Sequence, residues 1–206
     1  MPQLTVAIIG AGPLGRWLAL SAARAGFPVF LEDVMPANLH YAQEALRQKA
    51  GPSTVVAAAT SAQDDSIGRV AFVSTIEEAV RNADLVIDCV PDELESKLEI
   101  LWLLDRMAPP RAILATPTTR LSIADLAHCT YRPAKCIAIA AEASDLTGKT
   151  EAANSQAGAS ISSAVPEILL RTTNQTAPET VALLDSFWRQ LGFTTHFELD
   201  PAEPLC

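Results

Sequence analysis

The stretch "VAIIGAGPLGRWLA", from Val6 to Ala19, constrains the fold of this chain more than any other. An unbroken apolar run ends in three closely spaced glycines, Gly10, Gly12 and Gly15, and a helical pattern starts at once. Consecutive apolar residues suit a strand buried on both faces, the situation in a parallel sheet covered by helices on either side. Glycines at the junction let the chain turn tightly and let the helix lie against the strand it follows. Pro13 fits the first helical position, because its fixed φ suits the turn and its missing N–H would have no partner inside the helix.

The same alternation runs down the chain. The pattern predicts strands over Leu4–Ile9, Val29–Leu31, Val70–Val73, Leu85–Val90, Ile113–Ala115, Cys136–Ile139, Ile168–Arg171 and Thr194–Leu199. Helices are predicted over Pro13–Ala25, Ala37–Lys49, Thr75–Arg81 (with Thr75 as cap), Glu93–Met107 and Pro178–Leu191, and one further helix precedes His128. This is an α/β chain of the Rossmann-type, doubly wound class: a mainly parallel sheet with helices on both faces. The expected organisation is one domain over residues 1–200 with a short tail over 201–206. Two segments break the rhythm: Gly51–Gly68 reads as an irregular insertion, and Ala141–Ala164 as a flexible loop or a lid.

A strand followed by GxGxxG and a helix is the fingerprint of a dinucleotide site. Gly10 permits the tight turn, Gly12 the approach of a pyrophosphate to the main chain, and Gly15 the close packing of helix on strand. Pro13 and Leu14, in the first helical turn, lie where the helix offers free N–H groups and a partial positive charge. Pro13 removes one of those donors, which predicts weaker phosphate binding. Asp33 closes the second strand, where a carboxylate accepts both hydroxyls of the adenosine ribose. With Glu32 beside it and no arginine following closely, a 2′-phosphate would be repelled, so NAD(H) is expected rather than NADP(H).

Composition excludes several other roles. The formal net charge of −9 argues against a nucleic-acid surface, which needs a basic stripe to displace phosphate counterions. No apolar run approaches the length of a membrane span. The four cysteines, Cys89, Cys129, Cys136 and Cys206, show no CxxC pair or finger spacing. They predict reduced thiols without a metal in a cytoplasmic protein.

From these residues onward the sequence resembles the N-terminal, NAD-binding domain of the 3-hydroxyacyl-CoA dehydrogenases. The likeness runs through "VAIIGAGPLGRWLALSAARAGFPVFLEDV" and "ADLVIDCVPDELESKLEILWLLDRMAPPRAILATPTTRLSIADLA", and returns weakly in "TAPETVALLDSFWRQLGFTTHFEL". It implies NAD as cofactor, an acyl-CoA-like small molecule as substrate, and a place in fatty acid metabolism. It also implies that Asp92 and Lys97 lie near the nicotinamide half of the cofactor. The plainer alternative is an exposed helix start, with Asp92 favouring the macrodipole and Lys97 solvated. Val90 and Pro91 should line the cofactor crevice, and a hydroxyl near it is kept at Thr116 or Thr119.

The chain also departs from that family. Its usual histidine base would fall at Ala140, in "AIAAEASDL", and the first loop asparagine at Pro117. The glutamate that orients the histidine falls at Leu169, with Glu167 as a competing match. Of the three histidines, His40 lies on the adenosine side, His128 away from the crevice mouth and His196 in the last strand, so none is expected to substitute. The chain ends about where such enzymes continue into a helical second domain that closes over the acyl-CoA. Three functional readings follow. The first is an NAD(H)-binding domain without the classical activity. The second is an oxidoreductase acting on another hydroxyacyl or hydroxy-acid substrate. The third is a cofactor-binding subunit completed by itself or by another chain, for which the apolar stretch Phe187–Phe197 is the candidate face.

Overall fold

In a computed structural model, which describes residues 4–50, 65–141 and 165–200, the alternating pattern becomes one sheet of eight strands. The strands are β1 (Val6–Ile9), β2 (Val29–Glu32), β3 (Val70–Val73), β4 (Leu85–Asp88), β5 (Ile113–Pro117), β6 (Cys136–Ile139), β7 (Glu167–Thr172) and β8 (Thr194–Leu199). Their spatial order is β3-β2-β1-β4-β5-β6-β7-β8. The first six run parallel, β7 lies antiparallel to β6, and β8 is again parallel to β7. The helices are α1 (Pro13–Arg24), α2 (Pro36–Ala50), α3 (Ile76–Val80), α4 (Leu94–Met107), α5 (Ile123–His128) and α6 (Pro178–Gln190). Two 3-10 turns, Asp65–Arg69 and Pro133–Lys135, lead into β3 and β6. The helix before His128 is α5, and it ends on that residue rather than before it. The insertion read over Gly51–Gly68 lies outside the described residues apart from its last turn. The loop or lid read over Ala141–Ala164 lies outside them except for Ala141, and the tail over 201–206 lies wholly outside.

Strand β1 shows why its residues are all apolar. Val6 and Ile8 enter one core with Leu18, Leu31, Phe187 and Trp188, while Ala7 and Ile9 enter a second core with Val86, Leu101 and Leu104. Helices α1, α2 and α6 supply the first layer, and α3, α4 and α5 the second. Burial on both faces removes the polar alternation of a half-exposed strand. In the first core, Phe187 packs on Phe27 with ring centroids 5.4 Å apart, and Trp188 on Phe193 at 5.4 Å. In the stretch Phe187–Phe197, Phe187, Trp188 and Phe193 thus belong to this chain's own core, while Phe197 is its exposed large apolar side chain, at 40%.

Helix limits follow local chemistry. Thr75 caps α3 by accepting a hydrogen bond from Glu78 N, and Ser122 caps α5 by accepting from Asp125 N. Helix α4 stops at Met107 before the Pro109–Pro110 pair, and Arg132 donates to the carbonyls of Asp105 and Ala108 at the helix end and to that of Pro109 beyond it. Strand order reverses between β1 and β4, since the chain moves outward to β2 and β3 before returning. In such a sheet the crevice beyond the carboxyl ends of these two strands is where ligands sit.

Candidate dinucleotide site

The loop from Gly10 to Gly15 forms one wall of that crevice. Gly10 has φ +103°, and its N–H donates to Glu32 O at 2.8 Å. A Cβ there would be strained, and it would lie 3.2 Å from Cys89 O, just past the end of β4. A Cβ on Gly15 would lie 1.9 Å from Gly10 O, so only glycine lets α1 sit on the loop. Gly12 is the N-cap of α1, and a Cβ there would meet nothing within 4 Å. Of the three positions it alone faces open space, at the amino end of a helix, as an approaching pyrophosphate requires. Pro13 is the first residue of α1, as its chemistry predicts. Leu14 is buried, and both residues line the crevice.

Asp33 follows β2 directly. Its Oδ2 accepts from Ala11 N at 3.0 Å, and its Oδ1 accepts from Met35 N at 2.9 Å and Asn38 Nδ2 at 3.0 Å. The carboxylate thus fixes the glycine loop to the end of β2. Each oxygen keeps further lone-pair capacity for a ligand. Glu32 belongs to the interior instead: it is 4% exposed, and burial, followed by the charge of Asp33, pushes its carboxyl up to about 7.

The opposite wall comes from the loops after β4 and β5. Gly12, Pro13 and Leu14 face Val90, Pro91, Asp92, Pro117, Thr119 and Arg120 across a crevice of about 460 Å³. Asp92 Oδ2 accepts from Thr119 N at 3.3 Å, while its Oδ1 is buried without a hydrogen-bond partner. Arg120 Nη2 donates to Asp92 O at 2.9 Å, cross-bracing the two loops. Buried Thr118 holds the second loop from below, its Oγ1 accepting from Leu121 N at 3.0 Å.

Lys97 and Thr116 lie beneath this wall and do not line the crevice. Lys97 is not solvated at a helix start. It is fully buried, with Nζ 2.5 Å from Asp88 Oδ1 on β4, and Asp88 is equally buried. Burial raises the Asp88 carboxyl above the usual carboxylate range, against the downward pull of the Lys97 ammonium and the Thr116 hydroxyl. Asp88 Oδ2 and Thr116 Oγ1 nonetheless lack a well-aligned hydrogen bond. The same buried setting holds the Cys89 thiol protonated, its pKa raised by burial and by Asp88. Of the two hydroxyls named from the sequence, only that of Thr119 belongs to a crevice-lining residue.

At the end of β6, Ala140 N donates to Leu169 O at 2.8 Å, so these two residues are neighbours across the β6–β7 ladder. Glu167 lies at the start of β7, exposed, with Oε2 3.6 Å from His196 Nε2. His128 Nδ1 lies 2.8 Å from Ala124 O within its own helix, and none of the three histidines lines the crevice. Sequence reasoning missed Asp88 and Arg120 as members of this region. The first had a signal, a lone acid in an apolar strand; the second had none in its spacing. Among the described residues, no group of three His, Cys, Asp or Glu side chains could hold a metal ion, and no helix is long and apolar enough to cross a membrane.

Comparison with known proteins agrees with this geometry. Residues 5–140 match the family model described as 3-hydroxyacyl-CoA dehydrogenase, NAD binding domain. A probable 3-hydroxybutyryl-CoA dehydrogenase of Bacillus subtilis is 34% identical over 133 residues, covering 64% of this chain and 46% of that protein. The 5-formyl-3-hydroxy-2-methylpyridine 4-carboxylate 5-dehydrogenase of Mesorhizobium japonicum is 32% identical over 127 residues, covering 61% and 40%. A solved diketoreductase superposes with a TM-score of 0.78 at 26% identity, over 96% of this chain and 65% of that one. The chain spans less than half the length of these two curated relatives. With the glycine loop, Asp33 and the switch-point crevice in place, the match over most of the chain shows that it belongs to the 3-hydroxyacyl-CoA dehydrogenase family and carries that family's domain for the cofactor NAD.

Proposed function

We propose that the crevice binds NAD(H) and that this chain does not itself carry out the family's oxidation of a 3-hydroxyacyl thioester. In this reading Asp33 accepts the adenosine ribose hydroxyls, and Gly10, Gly12, Pro13, Leu14 and Gly15 form the pyrophosphate cradle. Val90, Pro91 and Asp92 border the nicotinamide half, while Lys97 and Thr116 act from beneath by holding the strand end that carries them. The observation that carries the binding is the open space above Gly12 at the amino end of α1, with the Asp33 carboxylate fastened to the same loop. For the chemistry, NAD supplies a hydride acceptor, but abstraction of the hydroxyl proton needs a base with a pKa near the working pH. Ala140, at the position of the expected histidine, has no titratable group, and its neighbour Leu169 has none either.

Calorimetric titration with NAD, NADH, NADP and NADPH, followed by absorbance at 340 nm with a 3-hydroxyacyl-CoA, tests both parts. The expected result is binding of NAD(H), weaker binding of NADP(H), and no turnover. Absence of NADH binding at millimolar cofactor would overturn the first part, and rapid NADH formation the second. A second reading, an oxidoreductase for a different substrate, is favoured by Asp92, a carboxyl in the crevice wall with one oxygen unpartnered. The Mesorhizobium relative named for a pyridine carboxylate supports it. In that case hydroxy acids would change the 340 nm absorbance where the acyl-CoA does not.

A further inference from the structure

We propose that Arg120 makes the crevice a receptor for a small hydroxy acid or oxo acid, whose free carboxylate pairs with its guanidinium. The hydroxyl or carbonyl part of this assignment rests on the reading that the crevice holds NAD(H); the carboxylate part rests on Arg120 alone. Arg120 lines the crevice, and the only hydrogen bond its side chain makes among the described residues runs from Nη2 to the backbone oxygen of Asp92. No carboxylate lies within 4.0 Å of it among the described residues. A guanidinium has five N–H donors in a planar fork that matches a carboxylate edge to edge, and most of them are left for a ligand here.

The loop that carries the cation is itself braced, although the Arg120 side chain is exposed. Thr118, buried, accepts from the N–H groups of Arg120 at 3.4 Å and Leu121 at 3.0 Å. On the other side, Arg171 reaches from β7 to donate Nη1 to Thr119 O at 3.4 Å, adding a second positive charge to the same loop. The ion partner of Arg171, Glu198, stands 4.0 Å away at the edge strand. The acid nearest to Arg120 in the wall is Asp92, and its carboxyl is turned into the loop, taking the Thr119 N–H with Oδ2 and burying Oδ1. An incoming anion therefore meets Arg120 first.

The experiment titrates acetoacetate, its methyl ester and acetoacetyl-CoA into the protein, with and without saturating NADH, by ligand-observed NMR. The parent protein is compared with Arg120→Gln and Arg120→Lys. The expected result is that the free acid binds at least about tenfold more tightly than the ester, a difference of about 1.4 kcal/mol. Arg120→Gln should abolish that preference and Arg120→Lys restore part of it, both read in the titration without NADH. Equal binding of acid and ester, or an acid affinity unchanged in Arg120→Gln, would overturn the proposal. So would a parallel loss of NADH affinity, which would assign the guanidinium to a cofactor phosphate, or tighter binding of the thioester that depends on Arg120, which would assign it to a coenzyme A phosphate. If NADH fails to bind, the cofactor reading falls, yet the titration without NADH still decides whether Arg120 selects the carboxylate.

Discussion

Lys97 Nζ lies 2.5 Å from Asp88 Oδ1 with neither side chain exposed, and this pair joins α4 to the carboxyl end of β4 directly beneath the crevice wall. A buried pair of this kind holds geometry more than it adds stability, because the desolvation cost offsets much of the attraction. Removing one partner is a different matter, since the other charge then stays buried and alone. Lys97→Met should therefore lower stability by about 3–5 kcal/mol, whereas the double change with Asp88→Leu should cost less than Lys97→Met alone. Urea unfolding of both singles and the double measures the coupling, and additive losses would show that the pair does not act as a unit.

The three glycines separate packing from ligand space. Gly15→Ala forces a Cβ to 1.9 Å from Gly10 O and should unfold or strongly destabilise the chain. Gly12→Ala meets no protein atom within 4 Å, and the φ of −65° at Gly12 suits alanine. Its melting temperature should stay within about 2 °C of the parent, since an unstrained surface change costs little. Affinity for NADH should fall by about tenfold or more, a loss of about 1.4 kcal/mol. Unchanged affinity in Gly12→Ala would remove the phosphate from this position.

Pro13 occupies the first helical position and offers no N–H. Pro13→Ala returns one donor to the amino end of α1, and a hydrogen bond to a charged group contributes about 1.5–3 kcal/mol. Part of that is offset by the looser helix start, so NADH affinity should rise by about threefold to tenfold. Calorimetry on the two proteins is enough, and equal or weaker binding by the variant would show that the cradle does not use this position.

Glu32 makes stability depend on pH in a defined direction. Its folded pKa of about 7 lies above the ordinary value of 4.5, so between these limits the folded chain holds a proton that the unfolded chain has released. Stability from this group is fully present below pH 4.5 and is lost as pH rises to about 7. Glu32→Gln should therefore flatten the melting curve across this window and give a higher melting temperature than the parent at pH 8. Parallel pH profiles for the two proteins would contradict the assignment.

Ala140 and Leu169 face each other across the β6–β7 ladder, and directly opposed residues in an antiparallel pair share one face. Introducing Ala140→His with Leu169→Glu should set an imidazole beside a carboxylate. The imidazole titration, followed by NMR, should then move above about 6.5, because a nearby negative charge favours the protonated ring. Ala140→His alone should titrate closer to that ordinary value. No difference between the two would mean that the side chains do not meet.

What the sequence determined by itself was local. The alternation of strand and helix patterns located all eight strands, and the two bounds of β3, β6 and β8 were legible to the residue, although only β6 is buried along its whole length and β8 is an exposed edge strand. The glycine spacing and Pro13 were legible because each answers to the backbone of its own turn. The tertiary structure decided what depends on distant segments meeting. The direction of β7 was not readable, since side chains alternate with the same period in parallel and antiparallel strands. The bounds of α5 were not readable either, as six residues carry too little helical period. Lys97 could be read as solvated until sheet order brought Asp88 beneath α4, and Thr116 could be read as a crevice hydroxyl until β5 turned it inward. Only the fold could choose Leu169 as the neighbour of Ala140 over Glu167: both lie on the same face of β7, and the register of its pairing with β6 decides which one stands opposite.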